Sequence, residues 1–232
     1  MKKFISVLLC TLLGLTMVSC GVSENSGGDV TSEDTRKENS DTAAVVSSEN
    51  STENVTDNSG TSKILVAYFS LANEQYEVGI IEKGNTEIIA EIIADKTGAE
   101  LFKITANTDY PTTYEGLLDI SKQEESDPPE LAENVPNMAD YDIVFIGYPI
   151  WWGDLPTIVK VFLESNDFSD KTVIPFCTHA GSGLSGTQSS VEDLCSGAEI
   201  QDGLAVRGST AQNEREVAEK AVTDWLAELG IS

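Results

Sequence analysis

Beyond residue 62, short apolar runs alternate with segments in which apolar residues recur at helical spacing. The runs are nearly continuous, which is typical of parallel strands covered on both faces. They predict strands at 63–69, 99–104, 143–147, 171–177 and 204–206. The segments that follow them predict helices at about 86–96, 113–125, 155–163, 187–195 and 213–229. This alternation predicts an α/β fold, a doubly wound, five-stranded parallel sheet with helices on both faces.

Two of the predicted helices begin near residues suited to capping. Asn85 stands just before the first helix, where its side chain could accept a hydrogen bond from the free N–H groups. Asp154 stands before the third helix, and Pro156 is placed for its first turn. We therefore expect Asn85 and Asp154 to be N-caps.

The first 62 residues differ in composition from the rest of the chain. Lys2 and Lys3 precede a mostly apolar stretch, 4–18, that is shorter than the ~20 residues a membrane span needs. Residues 1–19 are therefore predicted to be a signal peptide. The small residues before Cys20 resemble a bacterial lipobox, and that resemblance implies cleavage before Cys20 and lipid attachment to its sulfur. The alternative is an ordinary cleaved signal peptide with an incidental cysteine.

Residues 20–62 would then be a lipidated N-terminus and a linker. The segment is rich in Ser, Thr, Asn, Asp and Glu and has almost no large apolar residues, so it predicts a disordered acidic tether. The domain would be residues 63–232. We expect an exported, extracytoplasmic protein, held to the cell membrane through the lipid on Cys20.

The charge of the chain limits its partners. The whole chain has a formal net charge of −25 at pH 7, and residues 63–232 hold ten Lys or Arg against thirty Asp or Glu. A surface this acidic repels nucleic-acid phosphates, so nucleic acid is not an expected partner. The charge permits basic partners, or it serves solubility alone.

Catalytic and metal-binding motifs are absent from the sequence. Cys177 and Cys195 match no zinc or redox spacing, and we expect buried free thiols, with a disulfide as the alternative. No paired carboxylates, Ser-His-Asp order or His/Cys cluster stands out, so no catalytic residue and no metal ligand is predicted. A Rossmann dinucleotide site is not predicted either, because the first strand is not followed by G-x-G-x-x-G.

The candidate chemistry lies in three loops, after the first, third and fourth predicted strands. Ligands of open α/β sheets bind at the carboxyl ends of strands. The first loop supplies hydroxyl and N–H groups at a helix start, which can bind phosphate without a lysine. The second contains two adjacent indoles, whose flat faces suit a flat ligand. The residues are, in the first loop, Ser70, Gly84, Asn85 and Thr86; in the second, Pro149, Ile150, Trp151, Trp152 and Gly153; and in the third, Thr178, His179, Gly181, Ser182 and Gly183.

In this order the three loops resemble those of flavodoxins, most nearly the flavodoxin-like lipoproteins of anaerobic Gram-positive bacteria. The resemblance covers the whole domain after the linker. It implies the strand order 2-1-3-4-5 and FMN as cofactor, with the phosphate on the first loop and the isoalloxazine between the other two. Trp151 is expected to meet the flavin, and Trp152 to hold its loop against the following helix. Gly153 is expected to present a backbone carbonyl to flavin N5, since glycine tolerates a flipped peptide.

One departure from the flavodoxin pattern is an insert at about 72–82. Flavodoxins usually leave only two residues between the serine and the Gly-Asn-Thr, which would put the glycine at position 73 rather than 84. The insert either loops out and leaves the phosphate site intact, or it covers the flavin. We expect the first, because Ser70 and residues 84–86 are all present.

Three functional hypotheses follow. The leading one is an FMN-binding electron carrier that exchanges electrons with redox partner proteins at the outer face of the membrane. The second is an FMN-dependent reductase that passes hydride from a nicotinamide to a quinone; Trp151 and Trp152 would crowd its substrate, which favours the carrier. The third is a surface lipoprotein that has lost the cofactor.

Overall fold

The computed structural model describes residues 62–231. The predicted signal peptide, the lipidation site at Cys20 and all but the end of the predicted linker lie outside the described residues. Within residues 62–231, no helix combines the length and the apolar character needed to cross a membrane.

The described residues form eight strands and six helices, with one 3₁₀ turn at Met138–Asp140. The strands are β1 Ile64–Tyr68, β2 Asn73–Gln75, β3 Gly79–Ile81, β4 Glu100–Lys103, β5 Ile143–Pro149, β6 Thr172–His179, β7 Glu199–Ile200 and β8 Leu204–Arg207. The helices are α1 Asn85–Thr97, α2 Tyr114–Gln123, α3 Thr157–Glu164, α4 Thr187–Leu194, α5 Gly208–Asn213 and α6 Arg215–Glu228.

The main sheet is parallel throughout, in the order β4-β1-β5-β6, with β7 and β8 both paired to β6. Counting β7 and β8 as one interrupted fifth strand, this is the order 2-1-3-4-5, so the predicted α/β doubly wound fold is confirmed. Residues 201–203 interrupt the fifth strand, and only β8 had been predicted there. The insert forms the separate antiparallel hairpin β2–β3.

Helices cover both faces of the sheet and bury two separate apolar clusters. Leu65 of β1 belongs to the cluster that includes Phe162 of α3. Val66, the next residue, belongs to the other cluster, which includes Ile89 of α1 and Val222 of α6. Because successive strand residues point to opposite faces, β1 needs apolar residues at every position, and this explains its nearly continuous apolar run.

Both predicted N-caps are wrong. The N-cap of α1 is Gly84, and Asn85 is already the first helical residue. The N-cap of α3 is Pro156, because the chain makes a tight turn that ends at Asp154 before the helix can begin. The last predicted helix, 213–229, corresponds to α6, and the short α5 that precedes it, separated from α6 by Glu214, had not been predicted.

Gly147 in β5 packs directly against the ring of Phe176 in β6. A methyl group at position 147 would lie 2.1 Å from the tip of that ring, and Phe176 is fully buried. We expect Gly147→Ala to lower the free energy of unfolding by about 1–3 kcal/mol through overpacking, as measured by urea denaturation. The double variant Gly147→Ala/Phe176→Leu should recover part of this loss, because the smaller side chain vacates the space. Strictly additive losses would contradict the steric explanation.

Candidate functional site

A cavity of about 340 Å³ opens at the carboxyl ends of β5 and β6. The last residues of these strands and the residues that follow them, 149–152 and 178–180, form one side. The hairpin, α2, and the first residues of α1 and α5 supply the rest, including Asn85 and Ser209. Neither lysine nor arginine is among the described residues that line the cavity. The volume lies near the lower end of the ~300–1,000 Å³ typical of ligand pockets.

The start of α1 lies tightly against Ser70. The Ser70 hydroxyl oxygen accepts a hydrogen bond from the Glu87 backbone N–H at 3.0 Å, which leaves its own proton free to be donated. A methyl group at Gly84 would lie 2.1 Å from that oxygen and 2.6 Å from the Leu71 carbonyl. The position therefore requires glycine for space, although its φ of −66° suits any residue. Ser70 thus keeps its place beside 84–86 despite the insert.

Asn85 lies in the cavity wall and is held from α5. Gln212 donates from Nε2 to the Asn85 side-chain oxygen and to the Lys83 carbonyl, both at 2.8 Å. Gly208 approaches so closely that a methyl group there would lie 2.5 Å from the Asn85 side-chain nitrogen. The bond to Gln212 leaves the Asn85 amide N–H groups available at the cavity.

Thr86 and Thr178 join the first and third loops beneath the cavity. Their hydroxyl oxygens are 2.8 Å apart, and both residues are buried. One hydroxyl must donate to the other, so one proton of the pair remains for another acceptor. This contact fixes the start of α1 relative to the end of β6.

The tryptophan loop is a tight two-residue turn. Trp151 and Asp154 exchange both backbone hydrogen bonds, at 3.0 and 2.9 Å. Between them, Trp152 and Gly153 have φ values of +53° and +84°, the left-handed conformation that such turns require at both central positions. A bulky residue rarely adopts a positive φ, so the turn holds Trp152 in an unusual backbone conformation. Asp154 completes the loop by accepting from Lys160, Ser190 and the Leu155 backbone.

The two tryptophans have different surroundings. Trp152 was expected to be the packed residue of the pair, but it is the exposed one. Trp151 is the packed residue: its ring makes edge-on contacts with Phe69 and Tyr110, at centroid distances of 5.5 and 6.0 Å. Trp152 is 59% exposed and does not hold the loop against α3. Its indole N–H donates instead to Ser121 of α2 at 2.9 Å, and the Lys122 ammonium lies 5.0 Å from its ring centroid. Both residues line the cavity.

In the third loop, His179 presents a neutral ring to the cavity. Its Nδ1 accepts from the Gly181 backbone N–H at 2.8 Å, so Nε2 carries the proton of the neutral form. Burial lowers the pKa of His179, the Arg207 charge lowers it further, and Glu77 partly opposes both. The imidazole therefore offers a hydrogen-bond donor without a positive charge at neutral pH. Below the loop, Cys177 and Cys195 are free and buried, and burial raises the pKa of each thiol to about 12.

The structure brings together only part of the predicted site at the cavity surface. The predicted residues that line the cavity are Asn85, Pro149, Ile150, Trp151, Trp152, Thr178 and His179. The predicted residues that do not line it are Ser70, Gly84, Thr86, Gly153, Gly181, Ser182 and Gly183. Ser70 and Thr86 are buried beneath the wall. No group of three or more His, Cys, Asp or Glu within residues 62–231 could hold a metal ion.

Sequence reasoning missed the wall formed by the hairpin, α2 and α5. This wall includes Gln75, Tyr76 and Glu77 of the insert and Tyr114 of α2. The aromatic residues were visible in the sequence, but no periodicity placed them near the tryptophan loop. Ser209 had no signal, because α5 lacks an apolar face.

Glu124, at the end of α2, is a buried carboxyl group close to this wall. It is 4% exposed, and neither its Oε2 nor the hydroxyl of neighbouring Tyr110 has a well-formed hydrogen bond within the described residues. Burial raises the pKa of Glu124, and the Tyr110 hydroxyl offsets this only in part. Ionisation is therefore easier in the unfolded chain than in the folded protein.

This buried carboxyl group makes stability depend on pH. The contribution of Glu124 to stability should be greatest below its unfolded pKa and should be lost as the pH rises through the raised folded value. We expect Glu124→Gln to be more stable than the wild type by about 1 kcal/mol at neutral pH, with the difference shrinking under acid conditions. Paired urea denaturations across this pH range measure it. A constant difference between the two proteins would contradict the pKa assignment.

Residues 63–228 match the family model described as flavodoxin. The chain belongs to the flavodoxin family. Among solved structures, this flavodoxin is similar to a candidate flavoprotein of Bacteroides eggerthii, at 29% identity and a TM-score of 0.59, over 74% of this chain and 100% of that one. A candidate flavoprotein of Bacteroides uniformis follows at 26% identity and a TM-score of 0.55, over 70% and 98% of the two chains.

A third solved structure is a flavoprotein of Lactobacillus acidophilus in complex with FMN. It is 22% identical to this flavodoxin, with a TM-score of 0.48, over 67% of this chain and 99% of that one. Among curated proteins, no significant match was found. The predicted family is confirmed, while the narrower resemblance to lipoproteins of anaerobic Gram-positive bacteria stays a prediction.

Proposed function

We propose that this flavodoxin binds FMN in the cavity and carries electrons between redox partners. The observation that carries the proposal is that one cavity joins the exposed indole of Trp152 to Asn85 at the start of α1. The first offers a flat aromatic surface for the isoalloxazine. The second lies at a helix N-terminus, which favours a phosphate.

The residues present suit both ends of FMN. Ser70 and the Thr86–Thr178 pair each have a hydroxyl proton to donate, and Asn85 has free amide N–H groups. These neutral donors and the α1 dipole would hold the phosphate without a lysine or arginine. At the other end, Trp152 and neutral His179 offer a stacking surface and a donor. FMN, when bound, supplies the capacity to accept and release electrons.

The protein would also influence the flavin's redox behaviour. A partly dry aromatic cavity in a strongly acidic domain disfavours additional negative charge on the ring, and this should lower its reduction potential. Gly153 already has the positive φ that glycine tolerates, so we propose its carbonyl as an acceptor near flavin N5.

The size of the cavity favours a carrier over a reductase. A volume of about 340 Å³ suits one planar ligand and leaves little space for a second substrate above the ring. The FMN-dependent NAD(P)H:quinone reductase therefore remains the second candidate, on the same fold. The third hypothesis, loss of the cofactor, is disfavoured because Asn85 and Thr178, which can donate to a phosphate, both line the cavity.

The carrier role can be tested with the FMN-loaded protein after chemical reduction. We expect it to reduce cytochrome c, a basic probe protein, with a rate that falls as salt is added, because the domain is acidic. It should not sustain oxidation of NADH or NADPH with a soluble quinone above the rate of free FMN. Sustained turnover would favour the reductase.

We further propose that the protein is exported and tethered to the outer face of the cell membrane through a lipid on Cys20. Support comes from the sequence of residues 1–62 alone, with its short apolar core, lipobox-like residues and acidic linker. Its redox partners would then act at that surface. Replacement of Cys20 by serine should release the protein from the membrane fraction, and retention of the variant there would contradict the anchor.

A further inference from the structure

We propose that the hairpin β2–β3 forms the outer wall of the flavin site, with Tyr76 lying against the isoalloxazine. This inference rests on the proposed binding of FMN and assigns a role to a segment that most flavodoxin patterns lack. The tip of the hairpin, residues 75–77, lines the same cavity as Trp151 and Trp152. The insert therefore leaves Ser70 beside 84–86 and also closes one side of the site.

The hairpin is fixed to the start of α2 rather than extending freely into solvent. Glu74 makes two hydrogen bonds there: its backbone N–H donates to the carbonyl of Thr112, just before α2, at 3.2 Å, and its carboxylate accepts from the N–H of Tyr114, the first residue of α2, at 2.9 Å. The Tyr76 ring stacks on Tyr114 at a centroid distance of 5.6 Å and an interplanar angle of 28°. These contacts hold the hairpin tip at the cavity.

The far rim is reached by Glu77. Its carboxylate lies 4.0 Å from the Arg207 guanidinium at the end of β8. Arg207 in turn lies beside Gly181, where an added methyl group would be 3.4 Å from the guanidinium. The hairpin thus spans the cavity from α2 to the third loop, although the exposed ion pair itself contributes little energy.

Tyr76 is the residue that the cavity makes available for stacking. It is 59% exposed, and this aromatic residue lines the cavity from outside the tryptophan loop. The third loop, 178–183, contains no large aromatic residue apart from His179, so it offers no comparable flat surface. A ring held between Trp152 and Tyr76 would gain aromatic contact on both sides. Ile80 lies on the same hairpin, is 85% exposed and does not line the cavity, so it provides a matched control.

The test compares binding of FMN and riboflavin to Tyr76→Ala, Tyr76→Phe and Ile80→Ala by fluorescence titration. We expect Tyr76→Ala to weaken both ligands about tenfold, because the contact is with the shared ring and not with the phosphate. Tyr76→Phe and Ile80→Ala should bind like the wild type. The visible circular dichroism of the bound flavin should change in Tyr76→Ala alone. Thermal melting of the apoproteins checks that all three variants fold.

The possible failures are distinguishable. If the wild type does not bind FMN, the proposed function fails first. If the wild type binds FMN and Tyr76→Ala binds it equally well, the hairpin is not a wall of the flavin site. An equal loss in Ile80→Ala, or a loss for FMN but not for riboflavin, would also overturn the assignment of Tyr76 to the ring.

Discussion

Gly84→Ala is expected to weaken FMN binding by a factor on the order of 100 while leaving riboflavin binding within about threefold of the wild type. The added methyl group would lie 2.1 Å from the Ser70 hydroxyl oxygen and 2.6 Å from the Leu71 carbonyl, so Ser70 or the start of α1 must move. Displacing one or two hydrogen bonds to a charged phosphate costs about 1.5–3 kcal/mol each, and about 1.4 kcal/mol corresponds to a tenfold change. Riboflavin lacks the phosphate, so its binding should be insensitive to this substitution.

A suitable comparison for this variant is Ser70→Ala, which removes the hydroxyl without adding bulk. We expect it to weaken FMN by about tenfold, the effect of one lost hydrogen bond to a charged group. Both affinities can be measured by fluorescence titration, with melting curves to confirm folding. Equal losses for FMN and riboflavin in Gly84→Ala would place the damage at the ring, and they would contradict a phosphate site at α1.

The two tryptophans should separate stability from binding. Trp151→Ala is expected to lower the free energy of unfolding by about 3 kcal/mol, because its ring packs on Phe69 and Tyr110. Trp152→Ala should cost less than about 1 kcal/mol, since the ring is 59% exposed. It should nevertheless weaken FMN by about tenfold, the usual effect of one lost stacking contact.

Urea denaturation and FMN titration of the two variants measure this contrast, with Trp152→Phe as a partial rescue of binding. If Trp152→Ala unfolds more readily than Trp151→Ala, the roles of the two rings are reversed. Retention of full FMN affinity by Trp152→Ala would show that the indole does not contact FMN.

The parallel sheet could be predicted because its strands require a residue pattern that is visible in the sequence. Strands buried on both faces need apolar residues at every position, as in 64–68 and 143–147. Because each of the three loops follows a parallel strand, all three could be predicted to lie at the same edge of the sheet. The short elements could not be found in this way. Strands β2 and β3 have three residues each, and their position is fixed by contacts of Glu74 with Thr112 and Tyr114, about forty residues away.

The site was predictable in outline and less so in detail. A sequence identifies two adjacent indoles but does not indicate which one the fold will bury, and the turn with positive φ at Trp152 reversed the expected role of that ring. The same turn ends at Asp154 and delays α3, which is why Asp154 is not its N-cap. Gln212, which orients Asn85, lies 127 residues away from it in sequence and had no local signal.

The most direct test of FMN binding in this cavity is titration of the purified apoprotein with FMN, followed by flavin fluorescence and visible absorption. We expect saturable 1:1 binding with quenched fluorescence, because tryptophan and tyrosine rings would contact the isoalloxazine, and markedly weaker binding of riboflavin, because it lacks the phosphate. Unchanged FMN fluorescence at a large excess of protein, or equal affinities for FMN and riboflavin, would contradict the assignment of the cavity.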